Sequence, residues 1–99
     1  MAGYVIFDIG PSDREAMKPY LDKAFDTITE FKGIILVRGG DPEVREATHR
    51  EGWHPTRILI VEFPSKDAAR AWYDSPAYQA ILPIRLKHGK DNMVIVDGV

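Results

Sequence analysis

RILIVEFPSKDAARAWYDSPAYQ, residues 57–79, carries three structural signals in succession. RILIVEF (57–63) is an apolar run rich in β-branched residues, the composition of a strand. Ser65 then precedes Asp67 and the apolar positions Ala68, Ala69, Trp72 and Tyr73. That order places a hydroxyl cap and a negative charge at the positive end of a helix. Ser75-Pro76 is a second cap, with proline at the first helical position, where its missing N–H costs least. Tyr78, Ile81, Leu82, Arg85 and Leu86 resume helical spacing as far as Gly89, and Pro83 is expected to disturb that segment. A strand therefore feeds two jointed helices, with Trp72, Tyr73 and Tyr78 around the joint.

The flanks complete the pattern. MVIVD (93–97) reads as a closing strand, and YVIFDI (4–9), stopped by Gly10-Pro11, as an opening one. Ser12 to Glu15 fits a capping box. Met17, Leu21, Ala24, Ile28 and Phe31 follow as one apolar helical face, ended by Gly33 and expected to kink or start late at Pro19. IILVR (34–38) is the second strand, and residues 39–55 form a long polar connection. The order β-α-β-β-α-β predicts an α+β, ferredoxin-like fold with a four-stranded antiparallel sheet, as a single domain over 1–99.

A sheet covered on one face should alternate apolar and polar residues. VIF, IILV, ILIV and MVIV are apolar on both parities, and no third helical stretch exists to cover the second face. A homodimer with two sheets face to face is the economical solution.

Composition narrows the chemistry. The chain has 99 residues, net charge −2 and no cysteine, so disulfides, thiol nucleophiles and Cys-based zinc sites are excluded. No basic stripe suggests nucleic acid. No apolar run approaches membrane-spanning length, and the N-terminus lacks the basic and apolar regions of a signal peptide, so a cytoplasmic protein is expected. The three serines, 12, 65 and 75, all precede helical segments, which makes them caps rather than nucleophiles. His49 and His54 are five apart in a loop, and no dense ligand motif surrounds them, so no metal and no cofactor are expected.

LVRGG (36–40), EGWHPTR (51–57), VEFPS (61–65) and AWYDSPAYQ (71–79) with Arg85 closely resemble the domain of unknown function 1330 family. That resemblance covers nearly the whole chain. It implies the ferredoxin-like dimer of the dimeric α+β barrel superfamily, whose members include monooxygenases and isomerases, and it implies no established activity. DPEVREATHR (41–50) looks longer and more charged than the family's usual connection, and Lys32-Gly33 stands where a Gly-Gly is common.

Charges on apolar faces supply the site candidates. Arg85 shares a helical face with Tyr78, Ile81 and Leu82, and Glu62 shares a strand parity with Ile58 and Ile60. Arg38 ends the second strand on the parity of Ile34 and Leu36, and Arg57 opens the third near the same end of the hairpin. The expected ligand-binding set is Arg38, Arg57, Trp72, Tyr73, Tyr78 and Arg85, with His54 and Glu62 as proton carriers. The bland alternative is a structural Arg85–Glu62 bridge and a tryptophan that only fills the core. The expected function is a cofactor-independent enzyme acting on a small anionic or carbonyl substrate, alternatively a non-catalytic binding or assembly module. A haem-degrading enzyme is the weaker reading, because no histidine falls convincingly on the inward face of the jointed helices.

Overall fold

The computed structural model describes residues 1–48 and 52–99. His49, one of the two loop histidines, and the start of the EGWHPTR motif lie outside the described residues. The elements are β1 (Gly3–Ile9), α1 (Arg14–Glu30), β2 (Ile34–Gly40), β3 (Arg57–Phe63), α2 (Lys66–Asp74), α3 (Pro76–His88) and β4 (Asp91–Asp97). The strands form one antiparallel sheet in the order β2-β3-β1-β4, the ferredoxin-like arrangement.

The caps decide the helix boundaries. Ser65 Oγ accepts from the Ala68 N–H at 3.0 Å, and Ser75 Oγ accepts from the Tyr78 N–H at 3.2 Å. The joint at Ser75-Pro76 therefore splits the second helical region into α2 and α3, as its chemistry requires. At α1 the cap is Asp13 rather than Ser12: Asp13 Oδ1 accepts from both the Glu15 and Ala16 N–H groups at 3.1 Å. A carboxylate there also faces the positive end of the helix. Pro19 and Pro83 both sit inside helices that continue past them. Each is exposed, and so are Glu15 and Gln79 four residues earlier, so water can satisfy the carbonyls that lose their partners.

The inward face of α1 is Met17, Tyr20, Ala24, Thr27 and Ile28, and Leu21 is half exposed. This is the expected stripe rotated by one residue. Both sets satisfy the i, i+3, i+4 spacing equally, and only packing against α3 separates them. Gly33 allows the tight exit from α1, since a Cβ there would meet Ile28 Cγ2 at 2.5 Å and Phe63 Cε1 at 2.9 Å.

The core lies between the sheet and the helices. Val5, Phe7, Val61 and Phe63 project from β1 and β3 toward Trp72, Tyr78, Ile81 and Leu82. Trp72 is fully buried, packs 5.4 Å from the Phe63 ring and donates its indole N–H to Thr27 Oγ1 at 3.0 Å. The opposite face of the sheet carries no helix. There Ile34, Leu36 and Val37 of β2 and Val94 and Val96 of β4 stand exposed, flanking half-buried Ile6, Ile58 and Ile60. The molecule is a slab 17 Å thick with an accessible surface of 6826 Å². A monomer of its 11.2 kDa mass ordinarily exposes roughly 5,700 Å².

Candidate functional site

A bulge in β2 governs where the arginines fall. Ile35 pairs with Val61, Leu36 is left over, and Val37 pairs with Ile60. The extra residue shifts the alternation, so Arg38 aligns with Leu59 and not with the parity of Ile34. Arg38 thereby moves to the helix-side register that Arg57 also occupies, two residues along β3.

The pairing of all four strands extends this alignment. Gly40, Arg57, Ile9 and Asp91 form one cross-strand row, and Arg38, Leu59, Phe7 and Met93 form the next on the same face. Arg85 reaches this end from the last turn of α3, with its Cζ 5.4 Å from the centre of the Phe7 ring. Three guanidinium groups thus belong to one end and one side of the sheet. Arg38 is exposed and Arg57 half-buried, and among the described residues neither forms an ion pair. The Arg57 guanidinium lies over Gly40, where a Cβ would stand 3.7 Å from Nη2.

Arg85 anchors a buried polar cluster. Its partner is Asp91, with Nη1 to Oδ2 at 3.5 Å, and the two side chains are only 7% and 4% exposed. The Tyr20 and Tyr78 hydroxyls share a hydrogen bond of 2.8 Å beside it. Burial raises the Tyr20 phenol far above its ordinary value, and Tyr78 adds to the rise while Arg85 opposes it. Burial also raises Tyr78, against the lowering effects of its hydrogen bond to Tyr20 and of Arg85. Both phenols are therefore neutral at pH 7, and one donates its hydrogen bond to the other. For Arg85, burial alone would lower the pKa, but Tyr78, Tyr20 and Asp91 outweigh it and hold the guanidinium above its usual value. With the phenols neutral, the negative charge that matters to Arg85 is the Asp91 carboxylate. Arg85 Nε and Asp91 Oδ1 are buried with no hydrogen-bond partner among the described residues. Both residues line an open pocket of about 350 Å³ with Leu86, Gly89, Lys90 and Asn92.

The Arg85–Glu62 bridge does not form. Glu62 pairs with Tyr4 and Ile34 on the open face, opposite the side from which Arg85 approaches, because strand alternation sends it there. The structure thus brings Arg38, Arg57, Tyr78 and Arg85 to one side of the sheet and leaves Glu62 on the other. Trp72 lies at the centre of the core, and Tyr73 packs on it, ring centres 6.2 Å apart. His54 is exposed in the loop before β3, with its imidazole against Gly52. That loop is closed at its base by the Asp41 N–H to the Thr56 carbonyl at 3.0 Å, and Trp53 donates to Asp8 Oδ2 at 2.7 Å. Tyr20 and Asp91 escape sequence reasoning. The apolar stripe of α1 reads equally well one residue off, and the run MVIVD starts the last strand at Met93, beyond Asp91. The run Gly89-Lys90-Asp91 after a helix carrying a lone inward arginine is the available signal. Among the described residues, no group of three or more His, Asp and Glu side chains is placed to hold a metal ion, and no helix is long and apolar enough to cross a membrane.

This architecture, a four-stranded antiparallel sheet with helices on one side only and an apolar open face, is the ferredoxin-like fold. The chain matches the family described as Domain of unknown function (DUF1330) over residues 2–99, and it belongs to that family. A protein of unknown function from Rhodopseudomonas palustris superposes with a TM-score of 0.79 at 13% identity, over 99% of this chain and 82% of that one. A dimeric ferredoxin-like protein of unknown function from Jannaschia sp. CCS1 superposes with a TM-score of 0.64 at 16% identity, over 99% and 100%. An antibiotic biosynthesis monooxygenase superposes with a TM-score of 0.56 at 14% identity, over 100% and 99%. No protein of curated function matches this chain. At these identities the likenesses concern the fold.

Proposed function

We propose that this chain works as a cytoplasmic homodimer, joined through the open sheet face, that binds a small anionic or carbonyl compound at the Asp91 end of the helix side. The observation that supports the site is the register, which aligns Arg38 and Arg57 on the helix side at the end of the sheet where β4 begins with Asp91, the partner of Arg85. Two guanidinium groups without ion pairs among the described residues favour a carboxylate or an enolate, which arginine binds in bidentate fashion. Tyr78 is fully buried and holds the Tyr20 hydroxyl beside Arg85, so it supports the site from behind and does not face the ligand. His54, three residues before Arg57, and Asp91 are the groups available to carry a proton; Glu62 lies on the face assigned to the dimer. If the bound compound reacts, these residues support cofactor-independent proton transfer. The excess surface and the exposed aliphatic residues of β2 and β4 support the dimer, as does the dimeric description of the Jannaschia protein.

NMR titration of the labelled dimer with benzoate and with pyruvate tests the site. Saturable shifts at Arg38 and at Arg57 to Leu59 are expected at millimolar concentration, and Arg57→Leu should weaken them at least tenfold with the dimer intact. Absence of any shift there, with every arginine in place, would remove the reading.

A further inference from the structure

The connection between β2 and β3 sends one aromatic side chain to the open face of the sheet. Thr56 fixes the base of that connection. It gives its N–H to the Ile9 carbonyl at 2.8 Å and takes the Asp41 N–H on its own carbonyl at 3.0 Å. Three residues earlier, Trp53 donates its indole N–H to Asp8 Oδ2 at 2.7 Å. Asp8 stands two residues beyond Ile6 on β1 and pairs with Ile58 and Asn92, so strand alternation turns it to the open face. The indole spends its one donor on Asp8, and Trp53 still keeps 45% of its surface in solvent. An apolar ring therefore stands at the margin of a face that already exposes Ile34, Leu36, Val37, Val94 and Val96. The 6826 Å² surface exceeds that of an ordinary monomer of this mass by roughly 1,100 Å². A stable dimer needs about 800 Å² from each subunit.

We propose that Trp53 is an aromatic anchor of the contact between two copies of this chain, and that Asp8 is the positioning residue that holds its indole there. The proposal rests on reading the open face as the dimer interface and names a contact made by a loop outside the strands. Tryptophan dominates such contacts, because one rigid ring buries a large apolar area. The bond to Asp8 serves the contact twice. It fixes the ring before the partner arrives, so less freedom is lost on association. It also gives the carboxylate at that end of the face a donor from its own subunit, which offsets part of the cost of covering it.

Acrylamide quenching of tryptophan fluorescence reads the ring directly. The other tryptophan, Trp72, is fully buried in the core, so the quenchable emission belongs to Trp53. That emission should be quenched several-fold less in the wild-type dimer than in Ile60→Lys. If Ile60→Lys does not fold, wild-type protein diluted below its dissociation constant supplies the monomer. In analytical ultracentrifugation, Trp53→Ala should raise the dimer dissociation constant about tenfold or more. Asp8→Ala should raise it several-fold, while Asp8→Asn, whose carboxamide oxygen still accepts the indole N–H, should stay close to wild type. Equal quenching of dimer and monomer, or a dissociation constant unmoved by Trp53→Ala, overturns the proposal and leaves the dimer standing. Weakening by Asp8→Asn as great as by Asp8→Ala overturns the positioning role. Shielding of Trp53 by added benzoate, and not by assembly, puts the ring in the ligand site and overturns the proposal too. A wild-type chain that scatters light as an 11.2 kDa monomer overturns the dimer reading with it.

Discussion

The two faces of the sheet use the same residue types for opposite ends. On the helix side, Val5, Val61, Phe7 and Phe63 are buried within the chain that carries them. On the open side, Ile34, Leu36, Val37, Val94 and Val96 are equally apolar and remain 38–60% exposed. The difference lies in what the chain has left to cover them with. Two connections cross the sheet, both right-handed, and both therefore bring their helices to the same side. An aliphatic strand residue stabilises the chain on one face and is left facing outward on the other. The charged residues follow the same division. Arg85 is buried with Asp91 on the helix side, and Glu62 stands among aliphatic residues on the open side.

Substitutions can break or sharpen that contrast. The largest effect is expected from Trp72→Ala, which empties the centre of the helix-side core and should cost about 3–5 kcal/mol in urea unfolding. Arg85→Leu should cost about 3 kcal/mol, because it leaves Asp91 buried without its cation. A loss of less than about 1 kcal/mol by chemical denaturation would show that Asp91 is reached by water after all. Ile60→Lys, on the open face, should act on assembly instead. Light scattering at micromolar concentration should report a folded species of half the wild-type mass, with subunit circular dichroism retained. Equal loss of secondary structure in Ile60→Lys and Trp72→Ala would erase the distinction between the faces.

Smaller effects concern the phenol pair and the first cap. Tyr78→Phe leaves the buried Tyr20 hydroxyl without its partner and should cost about 1–2 kcal/mol. The phenols also impose a pH dependence. Their folded pKa values lie above the unfolded value of 10, so the unfolded chain releases these protons first. Their contribution is complete below pH 10 and declines as pH rises further, by about 1.4 kcal/mol per unit for each phenol. The alkaline limb of a stability profile should be shallower in Tyr20→Phe/Tyr78→Phe. Asp13→Ala should cost about 1 kcal/mol, and Ser12→Ala a few tenths at most.

Local chemistry explains what is legible without the structure. Ser65 and Ser75-Pro76 mark helix starts by hydrogen bonds that close within three residues, so their sequence neighbours are their structural neighbours. The bounds of β3, the joint between α2 and α3 and the ferredoxin-like order are legible for that reason. The family motifs in LVRGG, VEFPS and AWYDSPAYQ agree with them. Rotation of α1 is not legible, since Met17, Ala24 and Ile28 belong equally to a stripe through Leu21 and to one through Tyr20. Only the Tyr78 hydroxyl, fifty-eight positions away in the chain, selects the second.

The sequence by itself determined the order of elements, the caps and the surplus of apolar strand surface, because each depends on a few adjacent residues or on composition alone. Tertiary structure decided which side each charge occupies. One unpaired residue in β2 carries Arg38 to the helix side, strict alternation in β3 sends Glu62 to the open side, and two added residues at the start of β4 give Arg85 its carboxylate. Those outcomes depend on register between strands, a property of pairs of segments, and side-chain direction reverses with every one-residue shift in it.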